Sequence, residues 1–418
     1  MSLRVRKREL AADTRAVIDQ VLLNWVEVDY PPDGWDEAST IPSRDGTRRF
    51  PIDPNPRPPA WIRADLAPAL RQVGEQADYL MVAPSAFLPA VEPLARFHRD
   101  RGLRVEITDV EAIYDAYGDG IATADAIRAY VADAAHGRPP PAPRYVLLVG
   151  DSSWDIHGDG YSRVDWLPSM QVRAHAEFAA SDNGFVTVVG DDNRPDLAIG
   201  RLPARSAHEL ADVIDKIIRY AGISGSESWL RRSTWVTDAS QNFQAISDAL
   251  AQQAAAAGLQ TWKVYPDPGA DTARQDQQAL IQAMDEGQLL VHFIGHGGRF
   301  VWRTGPTDYR NHSDLFSSAD VESLTNAGRW PLVLSMTCSS GPFDHPHAGS
   351  IAESFLMAPG GGAIGVLAAS WRVPASRSFS SLLIKELLLT GQSIGVAVMK
   401  AKQAEPSEEL VESYNLLG

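Results

Sequence analysis

Pro331-Leu-Val-Leu-Ser-Met-Thr337 is a strongly apolar run that ends at Cys338, the single cysteine of the chain. A similar run, Leu289-Leu-Val-His-Phe-Ile294, comes earlier and ends in Gly295-His296-Gly297-Gly298. Short continuous apolar runs bounded by turn residues are typical of strands that are buried on both faces. In open parallel sheets, chemistry gathers beyond the carboxyl ends of the strands. The two runs therefore predict a parallel sheet with His296 and Cys338 at one edge.

A cysteine and a histidine at one sheet edge can form a thiolate–imidazole pair. The thiolate is the nucleophile, and a neighbouring imidazole generates it and later protonates the leaving amine. Glycines beside His296 let a substrate backbone come close and leave amides free to bind an oxyanion. Cys338 has a second interpretation as a small buried core residue, because free cysteines are usually buried. The residues alone leave both interpretations open.

Length and composition are those of an ordinary soluble globular protein. The chain has 418 residues, 44% hydrophobic and 22% charged, which is enough for two or three domains. Its net charge of −15 argues against nucleic-acid binding, because phosphate recognition requires clustered Lys and Arg. A single cysteine excludes an internal disulfide framework. The start lacks the apolar core of a signal peptide and no apolar stretch reaches transmembrane length, so we expect no membrane insertion.

Three segments can be distinguished along the chain. Residues 1–75 form an irregular N-terminal extension, with a candidate strand at Val21–Asp29 before a stretch rich in Pro, Asp and Arg that is typical of loops. Residues 76–225 alternate strand-like and helix-like patterns, and residues 226–418 do so again. Such alternation predicts right-handed crossovers and mostly parallel sheets, which is an α/β fold with two successive α/β subdomains.

The candidate elements of the two subdomains follow from these patterns. The predicted strands are Asp78–Ala83, Leu103–Ile107, Tyr145–Asp151, Ser233–Asp238, Thr261–Tyr265, Leu289–Ile294, Pro331–Thr337 and Ala363–Ala368. Helices are expected near Pro89–Asp100 and Thr123–Ala135. A third helix starts at the capping box Ser206-Ala-His-Glu209 and closes the first subdomain near Ala221.

Beyond the His and Cys blocks, the chain resembles the gingipain-type cysteine peptidases of the caspase-like clan over nearly everything from Asp78 to Gly418. The matching pieces, in family order, are Arg101–Val105, Tyr145–Asp151, Ser181–Phe185, Gly190–Pro203, Gly295–Gly297, Thr337–Gly341, Ser350–Phe355 and Tyr414–Gly418. Each block is short, but their number and order make the resemblance specific.

The resemblance implies a caspase-like three-layer α/β/α fold with two side-by-side subdomains, the second one catalytic. It implies a cysteine endopeptidase that hydrolyses peptide bonds of a protein or peptide substrate, with His296 as general base and acid and Cys338 as acylated nucleophile. The oxyanion would be held by backbone amides near Gly297 and Cys338. An acidic residue after the first strand of this subdomain often supports the histidine in the family, and Asp238 matches it; an ordinary turn or N-capping aspartate is the alternative.

Two positions concern substrate binding. Family members that cleave after arginine have an acidic residue ahead of the helix that begins here near Phe243, whereas this chain has Ser240-Gln-Asn242, so the match does not extend to arginine specificity. Trp371 stands where the family places an aromatic wall of the primary specificity pocket; a half-buried structural tryptophan is the alternative. Family members also continue past the position of Gly418. One interpretation is therefore that this chain is a fragment of a longer, secreted protein. The compartment stays open.

The sequence supports a metal site less well than it supports the pair of Cys338 and His296. His345-Pro-His347 follows Cys338, but the spacing matches no standard zinc site and a second cysteine is missing. His292 is interpreted as a core or sheet-face residue. Asp191, Asp192 and Asp196 offer oxygen ligands at the density of a calcium site, without the spacing of an EF-hand, and a solvated acidic turn is the alternative. The predicted enzyme requires no cofactor, and a structural Ca²⁺ is a candidate ion.

Two other functions stay open as alternatives to the endopeptidase. One is a catalytically silent caspase-like module that serves as a binding or scaffolding domain. The other is a metal-dependent hydrolase that uses Cys338 and the nearby histidines. Both dyad residues are present, which favours the enzyme, whereas the missing acidic pocket residue keeps the scaffold interpretation open.

Overall fold

The computed structural model describes residues 2–4, 27–29, 70, 75–155, 163–174, 177–267, 273–305 and 314–418. The chain divides into two compact units, Met1–Arg63 and Ala64–Gly418. In the first unit, the described residues form an antiparallel pair of short strands in which Leu3 faces Val28. The rest of the candidate strand at 21–29 and the Pro-rich stretch lie outside the described residues.

The described strands are numbered through both units, and in most of the second unit they alternate with helices. The strands are β1 (Ser2–Arg4), β2 (Glu27–Asp29), β3 (Tyr79–Ala83), β4 (Val105–Asp109), β5 (Tyr145–Val149), β6 (Met170–Ala174), β7 (Glu177–Ser181), β8 (Ala198–Leu202), β9 (Arg232–Thr237), β10 (Gln260–Val264), β11 (Leu290–Ile294), β12 (Gly297–Gly298), β13 (Val301–Arg303), β14 (Asp314–Ser317), β15 (Leu332–Met336), β16 (Gly365–Ala369) and β17 (Tyr414–Leu417). The α-helices are α1 (Leu88–Arg99), α2 (Val110–Tyr117), α3 (Ala124–His136), α4 (Ala207–Ala221), α5 (Gln241–Ala256), α6 (Ala273–Glu286), α7 (Ser318–Glu322), α8 (Ile351–Met357), α9 (Arg377–Leu388), α10 (Ile394–Ala404) and α11 (Glu408–Ser413).

Ten of these strands form one continuous sheet in the order β10-β9-β11-β15-β16-β17-β8-β5-β3-β4. Neighbours on each side of β17 pair in parallel, as the alternation of strand and helix predicts. The last strand, β17, lies in the middle, antiparallel to β16 and parallel to β8. The C-terminal residues thus join the sheet of residues 76–225 to that of residues 226–418.

Helices cover both faces of the sheet and bury its apolar side chains. One face carries α1, α4, α6 and α8, whose buried residues include Val91, Leu210, Leu280 and Phe355. The opposite face is covered by α2 and α3 at one end and by α5, α9 and α10 at the other. The strands β11, β15 and β16 are buried along their whole length, which is why their sequences read as continuous apolar runs. The predicted three-layer α/β/α architecture is confirmed.

Buried charges also join the two halves. Arg163 Nη1 lies 3.2 Å from a carboxylate oxygen of Asp151, after β5, and 3.0 Å from one of Glu353, on α8. Burial raises the pKa of both carboxyl groups, because the charged forms are removed from water. The proposed division into 1–75, 76–225 and 226–418 stays a prediction.

The predicted helices lie within a residue or two of the observed ones. The capping box predicted at the start of α4 is only half formed. Ser206 accepts a hydrogen bond from the amide of Glu209, as a capping box requires. The carboxylate of Glu209, however, accepts from the amide of Arg205 and not from that of Ser206. Among the described residues, no helix is both long and apolar enough to cross a bilayer.

Candidate active site

Three neighbouring parallel strands, β9, β11 and β15, end at the same level of the sheet. Ile294, the last residue of β11, is in register with Thr237 of β9 and with Met336 of β15. Asp238 follows one residue after this level, and His296 and Cys338 follow two residues after it. The strand register therefore places these three residues at the same edge of the sheet, at the carboxyl ends of the strands, where the sequence predicts His296 and Cys338.

The carboxylate of Asp238 holds His296 at two points. Asp238 Oδ2 accepts from the backbone N–H of His296 at 3.1 Å and lies 2.5 Å from its Nδ1. The other oxygen, Oδ1, accepts from the amide of Ser240 at 2.8 Å. Because a carboxylate only accepts, Nδ1 carries the proton and Nε2 is left as the base. Asp238 thus combines the histidine support and the turn aspartate that the sequence left as alternatives.

The two partners differ in exposure. The side chain of Asp238 is fully buried, whereas that of His296 is 41% exposed. The edge of the His296 ring meets Phe243, on α5, in a T-shaped contact with 5.6 Å between ring centroids. The imidazole is therefore fixed on its buried side and reachable by a substrate on the other.

Cys338 lies at a sharp turn at the end of β15. The next residue, Ser339, has a φ of +48°, a left-handed conformation that is uncommon for a side chain other than glycine. Its amide donates to the backbone oxygen of Trp371 at 2.8 Å. Cys338 is half-buried, and its Sγ donates to the backbone oxygen of Val373 at 3.3 Å. Strained backbone of this kind is found mainly at functional sites, where the surrounding structure holds it.

The glycines on either side of His296 are required by close packing. A Cβ on Gly295 would lie 2.9 Å from the amide nitrogen of Asp238, and one on Gly297 would lie 2.7 Å from the side chain of Thr337. Thr337 also donates its hydroxyl to the backbone oxygen of Gly295 at 2.7 Å. The sequence analysis assigned these glycines to substrate approach and free amides; the structure adds close contact between the ends of three strands as a reason for them.

The amide of Gly297 points away from the neighbouring strand. The amide of Arg303 donates to the oxygen of His296 at 2.9 Å, so the His296 carbonyl points toward β13. In a planar trans peptide, the N–H of Gly297 points opposite to the carbonyl of His296, although Gly297 is in register with Trp302 of β13. The Gly297 N–H is thus turned away from β13.

A chain of buried hydrogen bonds lies beneath the Cys338 turn. Trp302 Nε1 donates to Ser335 Oγ at 2.9 Å, and Ser335 Oγ donates to Ser340 Oγ at 2.8 Å. The Trp302 ring stacks on Phe293 of β11, with 4.6 Å between centroids. These contacts tie the hairpin after His296 to the strand and the turn that carry Cys338.

The two predicted pocket residues lie at the periphery of this arrangement. Trp371 is half-buried and contributes its backbone oxygen to the Cys338 turn. Asn242 is exposed in the first turn of α5, next to Phe243, the residue that contacts His296. Their role in substrate binding stays a prediction.

The candidate metal ligands are engaged in other contacts. Asp196 Oδ2 accepts from the amides of Val188 and Val189, each at 2.8 Å, and Asp191 and Asp192 are exposed. In the described part of the chain, no group of three or more His, Cys, Asp or Glu side chains is arranged to hold a metal ion. The calcium site, and the expectation that no cofactor is required, stay predictions.

Two histidines that the sequence analysis considered, His292 and His345, lie in other surroundings. His292 is fully buried, and burial lowers its pKa to about 3. Its Nε2 lies 3.1 Å from Ser380 Oγ, which agrees with the interpretation as a core residue. His345 Nδ1 accepts from the amides of His347 and Ala348, each at 3.2 Å.

Sequence reasoning missed several residues that shape the site. Contacts with His296 and Cys338 come from Phe243 and Val373, which are distant from them in the chain. The strand that leads to Cys338 is contacted at Ser335 by Trp302. The antiparallel strands β12–β14 and the hairpin β6–β7 were not predicted either. Only the Gly295-His296-Gly297 pattern gave a local signal, because glycines at adjoining alternate positions indicate close backbone approach.

The fold, with Asp238, His296 and Cys338 at the carboxyl ends of neighbouring strands, is that of a caspase-like α/β protein. The chain superimposes on the crystal structure of the Arg-specific cysteine proteinase gingipain R with a TM-score of 0.66 and 20% identity, over 82% of this chain and 77% of that one. A second solved structure, of a protease, gives a TM-score of 0.64 and 17% identity over 85% of this chain and 78% of that one.

The chain belongs to peptidase family C25, whose model matches residues 72–418. It is 25% identical to gingipain R2 of Porphyromonas gingivalis over 282 residues, which are 64% of this chain and 33% of that protein. It is 26% identical to gingipain R1 of the same species over 266 residues, or 60% and 23% of the two chains. The matched region thus spans about a third or less of these relatives.

Proposed function

We propose that this chain is a cysteine endopeptidase that cleaves peptide bonds in protein or peptide substrates through Cys338 and His296. The observation that carries the proposal is the double contact of the buried Asp238 with His296, at the strand end next to the one that leads to Cys338. This arrangement fixes the tautomer in which Nε2 can take the thiol proton. Membership of peptidase family C25 supports the same reaction class.

The reaction begins when His296 Nε2 takes the proton of Cys338 and the thiolate attacks the carbonyl carbon of the scissile bond. The resulting oxyanion is bound by the N–H groups of Gly297 and Cys338, and the outward direction of the Gly297 amide supports this role. The imidazolium then gives its proton to the leaving amine, and the carbonyl stays on sulfur as a thioester. A water molecule, deprotonated by His296, attacks the thioester and releases the carboxylic acid and the thiol.

Asp238 stabilises the imidazolium formed in the first step. Its carboxylate is buried, so its charge acts on His296 in a medium that screens it less than water does. A reduced thiol is required, because oxidation of Cys338 removes the nucleophile. The reaction itself uses no metal or organic cofactor.

The experiment that tests the proposal is cleavage of a peptide library by the purified chain under reducing conditions, read by mass spectrometry. Cys338→Ala and His296→Ala should abolish cleavage, whereas the matched control His208→Ala, an exposed histidine 85% accessible at its side chain, should not. The cleaved sequences would also give the specificity that Trp371 and Asn242 are proposed to influence.

Two outcomes would replace the proposal with its alternatives. Absence of cleavage by the wild type, together with absence of Cys338 labelling by a thiol-reactive electrophile, would favour a binding or scaffolding module. Stoichiometric zinc in the purified protein, with activity lost on chelation, would favour the metal-dependent hydrolase.

A further inference from the structure

The first turn of α8 is bonded to the segments that follow both residues of the proposed dyad. The amide of Ile351 donates to the backbone oxygen of Arg299, in the β12–β13 hairpin that follows the histidine, at 2.6 Å. The next amide, that of Ala352, donates to the backbone oxygen of Ser340, in the turn after Cys338, at 3.1 Å. The first amides of a helix have no acceptor within the helix, so they are available for such contacts. Two consecutive amides of one helical turn therefore hold these two segments at a fixed distance.

Glu353 fixes the conformation of this turn from within the helix. Its Oε2 accepts from the amide of Ser350 at 2.6 Å and from the Ser350 hydroxyl at 2.9 Å. The Ser350 hydroxyl oxygen accepts from the amide of Glu353 at 3.2 Å. These reciprocal bonds form a capping box, which satisfies amides at the start of the helix. The other carboxylate oxygen, Oε1, is left for a partner outside the helix.

That partner is Arg163, which comes from the half of the sheet formed by residues 76–225. Its Nη1 lies 3.0 Å from Glu353 Oε1 and 3.2 Å from Asp151 Oδ2. The side chains of Asp151 and Glu353 are 0% and 8% exposed, and that of Arg163 is 16% exposed. Because a buried carboxylate is costly without a nearby cation, the guanidinium is held firmly between the two. The turn of α8 is thus fastened to the other half of the sheet.

The backbone around Arg163 also contacts the segment that leads into α8. The amide of Arg163 donates to the backbone oxygen of Pro346 at 2.6 Å, and the amide of Trp154 donates to that of Asp344 at 2.9 Å. Gln171 Nε2 donates to Asp344 Oδ2 at 3.0 Å. The half of the sheet that lacks the dyad therefore contacts this segment as well as the first turn of the helix.

We propose that Arg163 is a positioning residue for the proposed reaction. Through Glu353 and the first turn of α8, it sets the spacing of His296 and Cys338. Without the ion pair, the turn is held only by its own cap, and the thiol and the imidazole are less well aligned. A misplacement of about 1 Å, caused by a change far from the chemistry, can lower a rate about 10²-fold. The inference rests on the proposed function in taking His296 and Cys338 as the reacting pair.

Arg163→Gln and Glu353→Gln break the ion pair from its two ends. Glutamine at position 353 keeps an oxygen for the capping box and leaves Arg163 balanced by Asp151, so this variant should fold. We expect kcat on a peptide substrate to fall about 10–100-fold in each variant, with KM nearly unchanged. Arg163→Lys should keep most of the turnover, because a single nitrogen of Arg163 makes both contacts and an ammonium can replace it.

Arg138→Gln is the matched control. Arg138 is also buried, with a side chain that is 6% exposed, and it pairs with Glu106 of β4 at the far edge of the sheet. Its replacement should lower the melting temperature as that of Arg163 does, but leave kcat as in the wild type. A folded Glu353→Gln variant with wild-type kcat would overturn the proposal. An equal fall of kcat in Arg138→Gln would overturn it too, since general destabilisation would then explain the loss.

Alkylation of Cys338 by iodoacetamide near neutral pH separates this inference from the proposed function. His296 promotes ionisation of the thiol, so His296→Ala should slow alkylation. Arg163→Gln should slow it as well, but should have no further effect in the His296→Ala background, because Arg163 acts on the spacing of the pair. A further slowing in that background would contradict the proposal.

The two failures give different results. Slower alkylation in Arg163→Gln, with no cleavage of any peptide by the wild type, would reject the proposed function and keep this inference. Cleavage by the wild type, with kcat and alkylation unchanged in folded Glu353→Gln, would reject this inference and keep the proposed function.

Discussion

Asp238 and His296 are joined by both the backbone and the ring of the histidine. One carboxylate oxygen, Asp238 Oδ2, lies 3.1 Å from the His296 amide nitrogen and 2.5 Å from Nδ1. The amide contact fixes the chain at the end of β11, and the ring contact fixes the direction of the imidazole. A single buried side chain on a neighbouring strand therefore sets both the position and the tautomer of the histidine.

Replacing Asp238 by Asn tests this support. The amide keeps the size of the side chain but brings an NH₂ group that can face the two donors of His296, so the ring loses its fixed tautomer. We expect turnover to fall by about 10²–10⁴-fold, the range for general acid–base assistance, with a smaller change in KM. Initial rates on a peptide substrate measure it. Asp248→Asn, which affects an exposed carboxylate paired with Lys263, is the control and should retain activity; equal losses in the two variants would contradict the role of Asp238.

Gly297→Ala tests the close packing of the strand ends. Its new methyl group would lie 2.7 Å from the Thr337 side chain, so the hairpin or the Cys338 strand has to shift, at a cost of about 1–3 kcal/mol in the free energy of unfolding. Urea denaturation measures the loss, which should come with reduced cleavage. Gly298→Ala is the matched control, because its Cβ meets nothing nearer than a Val301 methyl at 3.9 Å. A stable, fully active Gly297→Ala variant would be the contrary result.

Ser335→Ala tests the buried hydrogen bonds under the Cys338 turn. The substitution leaves Trp302 Nε1 without an acceptor in a fully buried position, and we expect a loss of about 1–3 kcal/mol in unfolding free energy. Ser340→Ala removes only the acceptor at the end of the chain of hydrogen bonds and should cost about 0.5–1.5 kcal/mol. Thermal or chemical denaturation distinguishes the two. A Ser340→Ala loss as large as that of Ser335→Ala would show that the indole does not depend on Ser335.

His292 should make stability fall in mild acid. Burial lowers its pKa from the usual 6.5 to about 3 in the folded protein, so below pH 6.5 the unfolded chain binds a proton that the folded chain does not. This stability is fully present above pH 6.5 and is lost as the pH falls toward 3; the loss at pH 4 amounts to about 3 kcal/mol. Denaturation curves between pH 4 and 7 should show a smaller slope for His292→Gln than for the wild type. His208→Gln, at an exposed site, should follow the wild type, and equal slopes for all three proteins would refute the assignment.

Local sequence patterns predicted β11, β15 and β16 well because these strands are buried on both faces. The runs that lead to His296 and Cys338 are apolar at nearly every position. They are also short and followed by glycine and other small residues, which is typical of buried strands. The terminal Tyr414–Leu417 segment escaped prediction as a strand, since a short run at the end of a chain carries no flanking pattern. Its place in the middle of the sheet depends on pairing with β16 and β8, far away in the sequence.

The sequence by itself determined the α/β class and the placement of His296 and Cys338 at the carboxyl ends of two strands, because both follow from hydrophobic runs and the residues that end them. The tertiary structure alone decided that one oxygen of Asp238 serves both the amide and the ring of His296, and that Gly297 packs on Thr337. These contacts join residues from strands that are distant along the chain, and only the register of the assembled sheet brings them together.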